Sequence, residues 1–215
     1  MGNLLTIFRR ELGAYFNSLI AYIFVIVFVV FANGLFMIQF FQIGKADMRV
    51  FFGSLPYILN IFVPAISMRL WAEEKRGNTY ELLLTFPMRP HELVLGKYLA
   101  SLLFYLFALA ATFTVPVMIG LIGRADLGPV VGGYLGAFLL GALFLAVGIF
   151  LSGISTDQIV AFILTMMATF VLYFCGTDYF ASFMDGWIGG LGTLDRKSTR
   201  LNSSHSAKSR MPSSA

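Results

Sequence analysis

Residues 69–92 read RLWAEEKRGNTYELLLTFPMRPHE, a charged segment between two stretches of chain that carry no charge. Residues 50–68 end immediately before it, and residues 98–123 begin shortly after it, both without Asp, Glu, Lys or Arg. Each stretch is close in length to the roughly 20 residues that an α-helix needs to cross a bilayer. The segment is therefore predicted to be a loop on one membrane face, between two spans.

Composition and charge spacing indicate a membrane protein along the whole chain. Hydrophobic residues make up 58% and charged residues 12%, whereas soluble domains contain about 25% charged residues. A soluble helical bundle would need polar faces, and residues 20–31 have none. We predict an all-α, polytopic transmembrane helical bundle. Its spans are predicted at about residues 19–41, 51–70, 96–122, 130–153 and 158–174, with a kink at Pro64.

The residues before the first span predict a short interfacial helix. Leu4, Phe8 and Leu12 fall on one helical face, and Arg9 and Arg10 fall on the opposite side. An amphipathic helix of this kind lies in the membrane interface with its apolar face toward the acyl chains.

Basic residues predict the orientation of the spans, because short cytoplasmic loops are enriched in Lys and Arg. The side of the N-terminus holds Arg9, Arg10, Arg69, Lys75, Arg76, Arg89 and Lys97, and the other side holds Lys45, Arg49 and Arg124. We therefore expect the N-terminus and the charged segment to be cytoplasmic.

The charged segment contains the signals of a second short helix. Gly77 suits the C-terminus of a helix that extends the second span. Asn78 and Glu81 have the spacing of a capping box, Pro87 ends the new helix, and Pro90 begins the next one. Its apolar surface would come from Leu82, Leu83 and Leu84. Such a helix suits docking on a soluble partner, and an ordinary solvated loop is the alternative.

The fourth span carries small residues at Gly133, Ala137 and Gly141, spaced by four. Small residues at this spacing let helices approach closely. The contact would be either within the subunit or across a dimer.

Residues 64–98, PAISMRLWAEEKRGNTYELLLTFPMRPHELVLGKY, resemble the segment after the second span of ABC-2-type transporter permeases. The family pattern maps onto Arg69, Glu73, Glu74, Gly77, Thr79, Glu81, Leu83, Pro87, Gly96 and Lys97. Asn78 departs from it, because it stands between the glycine and the threonine. Residues 9–24, RRELGAYFNSLIAYIF, resemble the elbow helix and first span of these permeases. The resemblance covers about residues 3–194 and is greatest to permeases of gliding motility and of nitrous-oxide reductase clusters.

The resemblance implies a permease subunit of an ATP-driven exporter in the bacterial inner membrane. Such a subunit pairs with a second permease, in a homo- or heterodimer, and with cytoplasmic ABC ATPases. The loop helix would transmit nucleotide-driven motion, and the implied coupling residues are Glu73, Glu74, Gly77, Thr79, Glu81, Leu82, Leu83, Leu84 and Pro87.

No catalytic, cofactor or metal motif is recognisable in the chain. Gly96-Lys97 lacks the upstream glycine of a phosphate-binding loop, so we expect ATP to bind on the partner. The alternative function is a membrane assembly or accessory protein, or an intramembrane enzyme. An enzyme would need a polar cluster within the spans, and the sequence predicts none.

The last residues differ from the rest and predict a division at about residue 194. Residues 195–215 hold five of the 15 basic residues and one acid, and without them the chain is neutral. A neutral chain has no electrostatic footprint for nucleic acid. The stretch DRKSTRLNSSH resembles the translation of a sequencing adapter. We expect residues 1–194 to be a C-terminally truncated permease domain with five of the family's six spans, and residues 195–215 to be a non-native, disordered tail.

Overall fold

The computed structural model describes residues 2–43, 48–76, 90–122 and 127–177. The described residues form eight helices. They are α1 (Gly2–Phe16), α2 (Leu19–Ile43), α3 (Met48–Ser67), α4 (Arg69–Arg76), α5 (Pro90–Ala111), α6 (Thr114–Ile122), α7 (Leu127–Ile154) and α8 (Gln158–Cys175). The predicted loop helix and the predicted tail lie outside the described residues.

The all-α, multi-pass architecture predicted from the sequence is confirmed. Five helical segments in the described part of the chain are long and apolar enough to cross a membrane. They are Leu19–Gln42, Met48–Trp71, His91–Gly120, Gly128–Ile154 and Gln158–Cys175. Each overlaps one of the five predicted spans, and the charged residues that they contain lie near their ends, because a charge at the centre of a span costs about 2.5–3.5 kcal/mol.

The chain divides into two compact units, Met1–Phe170 and Val171–Ala215. In the first unit, α7 packs against α3, α4 and α5, while α2 packs against α3 and α5. Of the second unit, the structure describes the last turn of α8 and the turn after it. There the Thr177 hydroxyl donates to the carbonyl of Phe174 (2.7 Å) and closes the helix end.

Two predicted spans are interrupted, which the sequence analysis did not anticipate. The second continues through Pro64, and the helix breaks one turn later at Met68, between α3 and α4. The third breaks at Thr112 and Phe113, between α5 and α6. Because Pro116 has no amide hydrogen, it cannot donate to the Thr112 carbonyl, and the amide of Val115 does so instead (3.2 Å).

The N-terminal helix α1 lies alongside the first half of α5. Near its start, Ile7 contacts Gly96, and near its end the Tyr15 ring stacks on Phe104 with ring centroids 4.9 Å apart. Positions on the two helices advance together, so α1 and α5 run in the same direction. We call one end of the bundle the charged end. It comprises α4, the start of α5 and the part of α1 that lies beside the start of α5.

Candidate functional site

The predicted coupling residues divide between described and undescribed parts of the chain. Gly77, Thr79, Glu81, Leu82, Leu83, Leu84 and Pro87 lie outside the described residues. Glu73 lies in α4, and its side chain is outside the description. Glu74 is described and lies in α4, which extends the second span up to Arg76. The structure therefore describes only the N-terminal end of the predicted coupling segment, which lies in α4.

Glu74 belongs to an ion-pair cluster that joins three helices at the charged end. Its carboxylate accepts from the Lys97 ammonium of α5 at 2.7 Å. The same ammonium lies 3.3 Å from the carboxylate of Glu11 in α1. Arg10 pairs with Glu11 at 2.8 Å and lies 3.7 Å from Glu74. The cluster thus links α1, α4 and α5 through alternating charges.

Lys97 is the centre of this cluster and is 1% exposed. A buried ammonium is costly unless it is paired and hydrogen-bonded, and here it has two carboxylate partners. It also lies 5.2 Å from the ring centroid of Trp71 in α4, within the range of a cation–π interaction. Pairing, rather than solvation, therefore stabilises the charge on Lys97.

On its apolar side, the cluster adjoins a close contact between α1 and α5. A Cβ atom added at Gly96 would lie 2.7 Å from the Ile7 side chain. The two helices α1 and α5 approach each other closely here because Gly96 has no side chain. Ile7, Leu70, Trp71, Leu93 and Ile149 form a buried apolar group there. This group excludes water beneath the ion pairs, where the lower dielectric constant strengthens them.

A second set of polar contacts attaches α4 to the end of α7. The Trp71 amide donates to the Ser152 hydroxyl (3.2 Å), which donates in turn to the Met68 carbonyl (3.3 Å). Ser152 therefore bonds two backbone groups at the break in the second span. Lys75 donates to the carbonyl of Gly153, and a cation is favourable in the last turn of a helix.

The cluster borders a cleft of about 330 Å³ whose lining includes Arg10, Glu11, Arg69, Glu74 and Lys97. Among the described residues, no group of three or more His, Cys, Asp or Glu could hold a metal ion. The charges of the cluster are used in contacts between helices. This arrangement holds α4 between α1 and α5 on one side and α7 on the other.

Further polar contacts lie inside the bundle, between α3 and α8. The hydroxyl of Thr169 donates to the side-chain carbonyl of Asn60 at 2.6 Å, and both residues are buried. Gly148 of α7 lies against Ser67, two turns further along α3, and against Thr165, one turn earlier in α8. Interhelical hydrogen bonds and small residues are the usual means of helix association in lipid. These contacts hold α3, α7 and α8 together, and α4 is joined to α3 and α7.

The predicted small-residue face of α7 lies against other helices of the same chain. A methyl group on Gly133 would overlap the ring of Phe52 in α3, and one on Gly141 would overlap the ring of Tyr105 in α5. The hydroxyl of Tyr105 donates to the carbonyl of Ala137 at 2.7 Å. These three positions thus bring α3 and α5 close to α7.

Sequence reasoning missed Glu11 and Ser152 as contact residues. Glu11 had a detectable signal, since it immediately precedes a charge-free stretch on the same predicted side as Glu74 and Lys97. Opposite charges at the boundary of one membrane face are candidates for pairing. Ser152 had no such signal, because serine is common inside membrane helices and its partners Met68 and Trp71 are distant in sequence.

These features define a polytopic membrane protein with a charged assembly at one end. The family described as ABC-2 family transporter protein matches residues 39–192. The match covers more than half of the chain, and the protein belongs to this family of transporter membrane proteins. No curated protein matches the chain.

Proposed function

We propose that this chain is the permease subunit of an ATP-driven ABC-2 exporter. A separate cytoplasmic ATPase binds and hydrolyses ATP, and its movement reaches the spans through residues 77–89 and α4. Family membership and the lack of a phosphate-binding loop in the sequence support this division of labour. The observation that carries the proposal is the position of α4, directly before residues 77–89 and in contact with α1, α5 and α7.

The contacts of α4 suit the transfer of movement. It follows α3 through the break at Met68, where the Trp71 amide and the Met68 carbonyl bond to the Ser152 hydroxyl of α7. An ion pair joins α4 to α5, whereas hydrogen bonds of Trp71 and Lys75 join α4 to α7. A displacement of residues 77–89 would therefore move α1 and α5 together with α4, through Glu74, and would shift α4 relative to α7.

The proposed location is the bacterial inner membrane, with the N-terminus and the charged end in the cytoplasm. The excess of Lys and Arg on that side supports this orientation. Cysteines placed at Lys75 and Arg124 in a Cys175→Ser background would then differ in labelling by an impermeant reagent in intact cells. Labelling at position 75 from outside would contradict the orientation.

A second permease subunit, identical or different, completes the proposed transporter. Gly133 and Gly141 are covered by Phe52 and Tyr105 of the same chain. A partner permease would therefore contact other surfaces. The helix α2 offers such a surface, because only 28% of its apolar span is buried within the chain.

The proposed coupling is tested by substitutions in the loop helix. Leu83→Glu should abolish ATP-driven transport and reduce co-isolation of the ATPase, because a charge would enter the apolar contact. Glu81→Ala should weaken coupling less, since loss of a helix-capping group costs about 1 kcal/mol. Membrane insertion should be unchanged in both, because these positions lie between the second and third of the five spans found in the described residues.

Thr85→Glu is the matched control, with the same charge introduced outside the leucine group. Co-isolation is read by affinity purification of the permease, and coupling by ATP hydrolysis of the complex in vesicles. Normal ATPase association and hydrolysis in Leu83→Glu would contradict the proposed contact.

A further inference from the structure

An apolar groove runs along α1 on the side away from the ion-pair cluster. Leu4, Leu5 and Phe8 of α1 form one wall, and the leucines of α5 between Leu99 and Leu106 form the other. Phe138 of α7 completes the lining, and the groove has a volume of about 370 Å³. Its edges are open to the surroundings, since Leu5 is 55% exposed and Leu106 is 42% exposed.

A cation adjoins Leu5 on the outer side of α1, next to this groove. Arg9 follows Phe8 directly and lies one helical turn after Leu5, and its side chain is exposed. The neighbouring Arg10 is engaged by Glu11 and Glu74 on the other side of α1. An exposed cation beside an apolar groove matches the two parts of a phospholipid, an anionic headgroup and an acyl chain.

We propose that the groove between α1 and α5 binds one acyl chain of an anionic phospholipid, whose headgroup pairs with Arg9. The volume falls in the range of about 300–1,000 Å³ that is typical of sites for small molecules. The alternative occupant is a helix from a second copy of the chain. Such a helix is about 10 Å across and would need a longer and wider surface than this groove. The proposal requires only a membrane-spanning chain and is independent of the transport role.

The acyl-chain site is tested by filling the groove. Leu102→Trp and Leu103→Trp each place a larger side chain in it, and Leu103 is 40% exposed, so the substitution there leaves the core intact. The full chain is purified from bilayers of mixed phosphatidylglycerol and phosphatidylcholine, and retained lipids are counted by native mass spectrometry. Leu135→Trp on α7, 58% exposed and outside the groove, is the matched control.

We expect one retained phosphatidylglycerol in the unchanged protein and in Leu135→Trp, and its loss in both groove variants. Equal lipid retention in all four proteins would overturn the proposal. So would a groove variant that changes the oligomeric mass and keeps the lipid, since the groove would then be an interface between copies. Circular dichroism checks that helical content is maintained.

The headgroup contact is tested by Arg9→Gln. This variant should still retain a lipid, with the preference for phosphatidylglycerol over phosphatidylcholine reduced by about fivefold, the effect of one basic residue near an anionic membrane surface. Arg49→Gln makes the same charge change on an exposed residue at the start of α3 and should leave the preference unchanged. An unaltered preference in Arg9→Gln would contradict the assigned headgroup contact.

Discussion

Replacing Lys97 with methionine should lower the free energy of unfolding by about 3 kcal/mol. Removing one partner of a buried ion pair typically costs about 3–5 kcal/mol, because the other charge is left uncompensated. The lower end of this range applies, since Arg10 remains 2.8 Å from Glu11 and 3.7 Å from Glu74. Unfolding by sodium dodecyl sulfate in mixed micelles measures the change.

The matched variant removes all three charges at once, as Lys97→Met with Glu11→Gln and Glu74→Gln. It should regain most of the lost stability, because the one charge that remains, on Arg10, belongs to a side chain that is 56% exposed and is not buried without a partner. Arg9→Met, at an exposed position of α1, should stay within about 0.5 kcal/mol of the unchanged protein. If Lys97→Met were as stable as the unchanged protein, the cluster would not hold α1, α4 and α5 together.

Gly148→Ala should destabilise the bundle by about 2–3 kcal/mol, whereas Gly136→Ala in the same helix should not. The added methyl group at Gly148 would lie 2.6 Å from Ser67 Cβ and 3.1 Å from Thr165 Cγ2, so α7 would have to move away from two helices. Overpacking of this kind costs about 1–3 kcal/mol, and the upper part applies because Ser67 Cβ cannot rotate away.

Gly136 is the control because, in the described part of the chain, no atom of another helix lies within 4 Å of an added methyl group there. Alanine also forms helices better than glycine, by about 1 kcal/mol. Both variants are compared by the same unfolding titration. Equal stability of the two would mean that α7 does not approach α3 and α8 as closely as described.

The spans could be predicted from the sequence because each charge-free stretch is as long as a bilayer is thick. The breaks within them could not. The break at Met68 is stabilised by Ser152 of another helix, and such a tertiary contact leaves no local pattern in the sequence. The break at Thr112 has a local cause in Pro116, but a proline within a span predicts a kink or a break and does not decide between them.

The same limit applies to the glycines of α7. Gly128, Gly132 and Gly136 have the same spacing of four as Gly133, Ala137 and Gly141. The structure places Phe52 and Tyr105 against the second set and leaves open space at the first. Spacing predicts that a small-residue face exists, and only the arrangement of neighbouring helices decides which face is in contact.

Cross-linking α4 to α7 tests most directly whether α4 connects the ATPase to the spans. Cysteines replace Lys75 and Gly153, in a Cys175→Ser background. Position 153 has room for a side chain, since an added Cβ would lie 4.0 Å from Trp71. A short bis-methanethiosulfonate reagent joins the pair in the complex with its ATPase, through disulfides that form with release of methanesulfinate and are cleaved by reduction. The control joins Asn33 and Thr114, a hydrogen-bonded pair of α2 and α6 at 3.0 Å, replaced in the same way.

If α4 must move relative to α7 during each cycle, the cross-link will reduce ATP hydrolysis of the reconstituted complex several-fold. Reduction of the cross-link will restore it, and the ATPase will remain bound throughout. The control cross-link at Asn33 and Thr114 will have a smaller effect. Undiminished ATP hydrolysis with the α4–α7 cross-link fully formed would contradict transmission through α4.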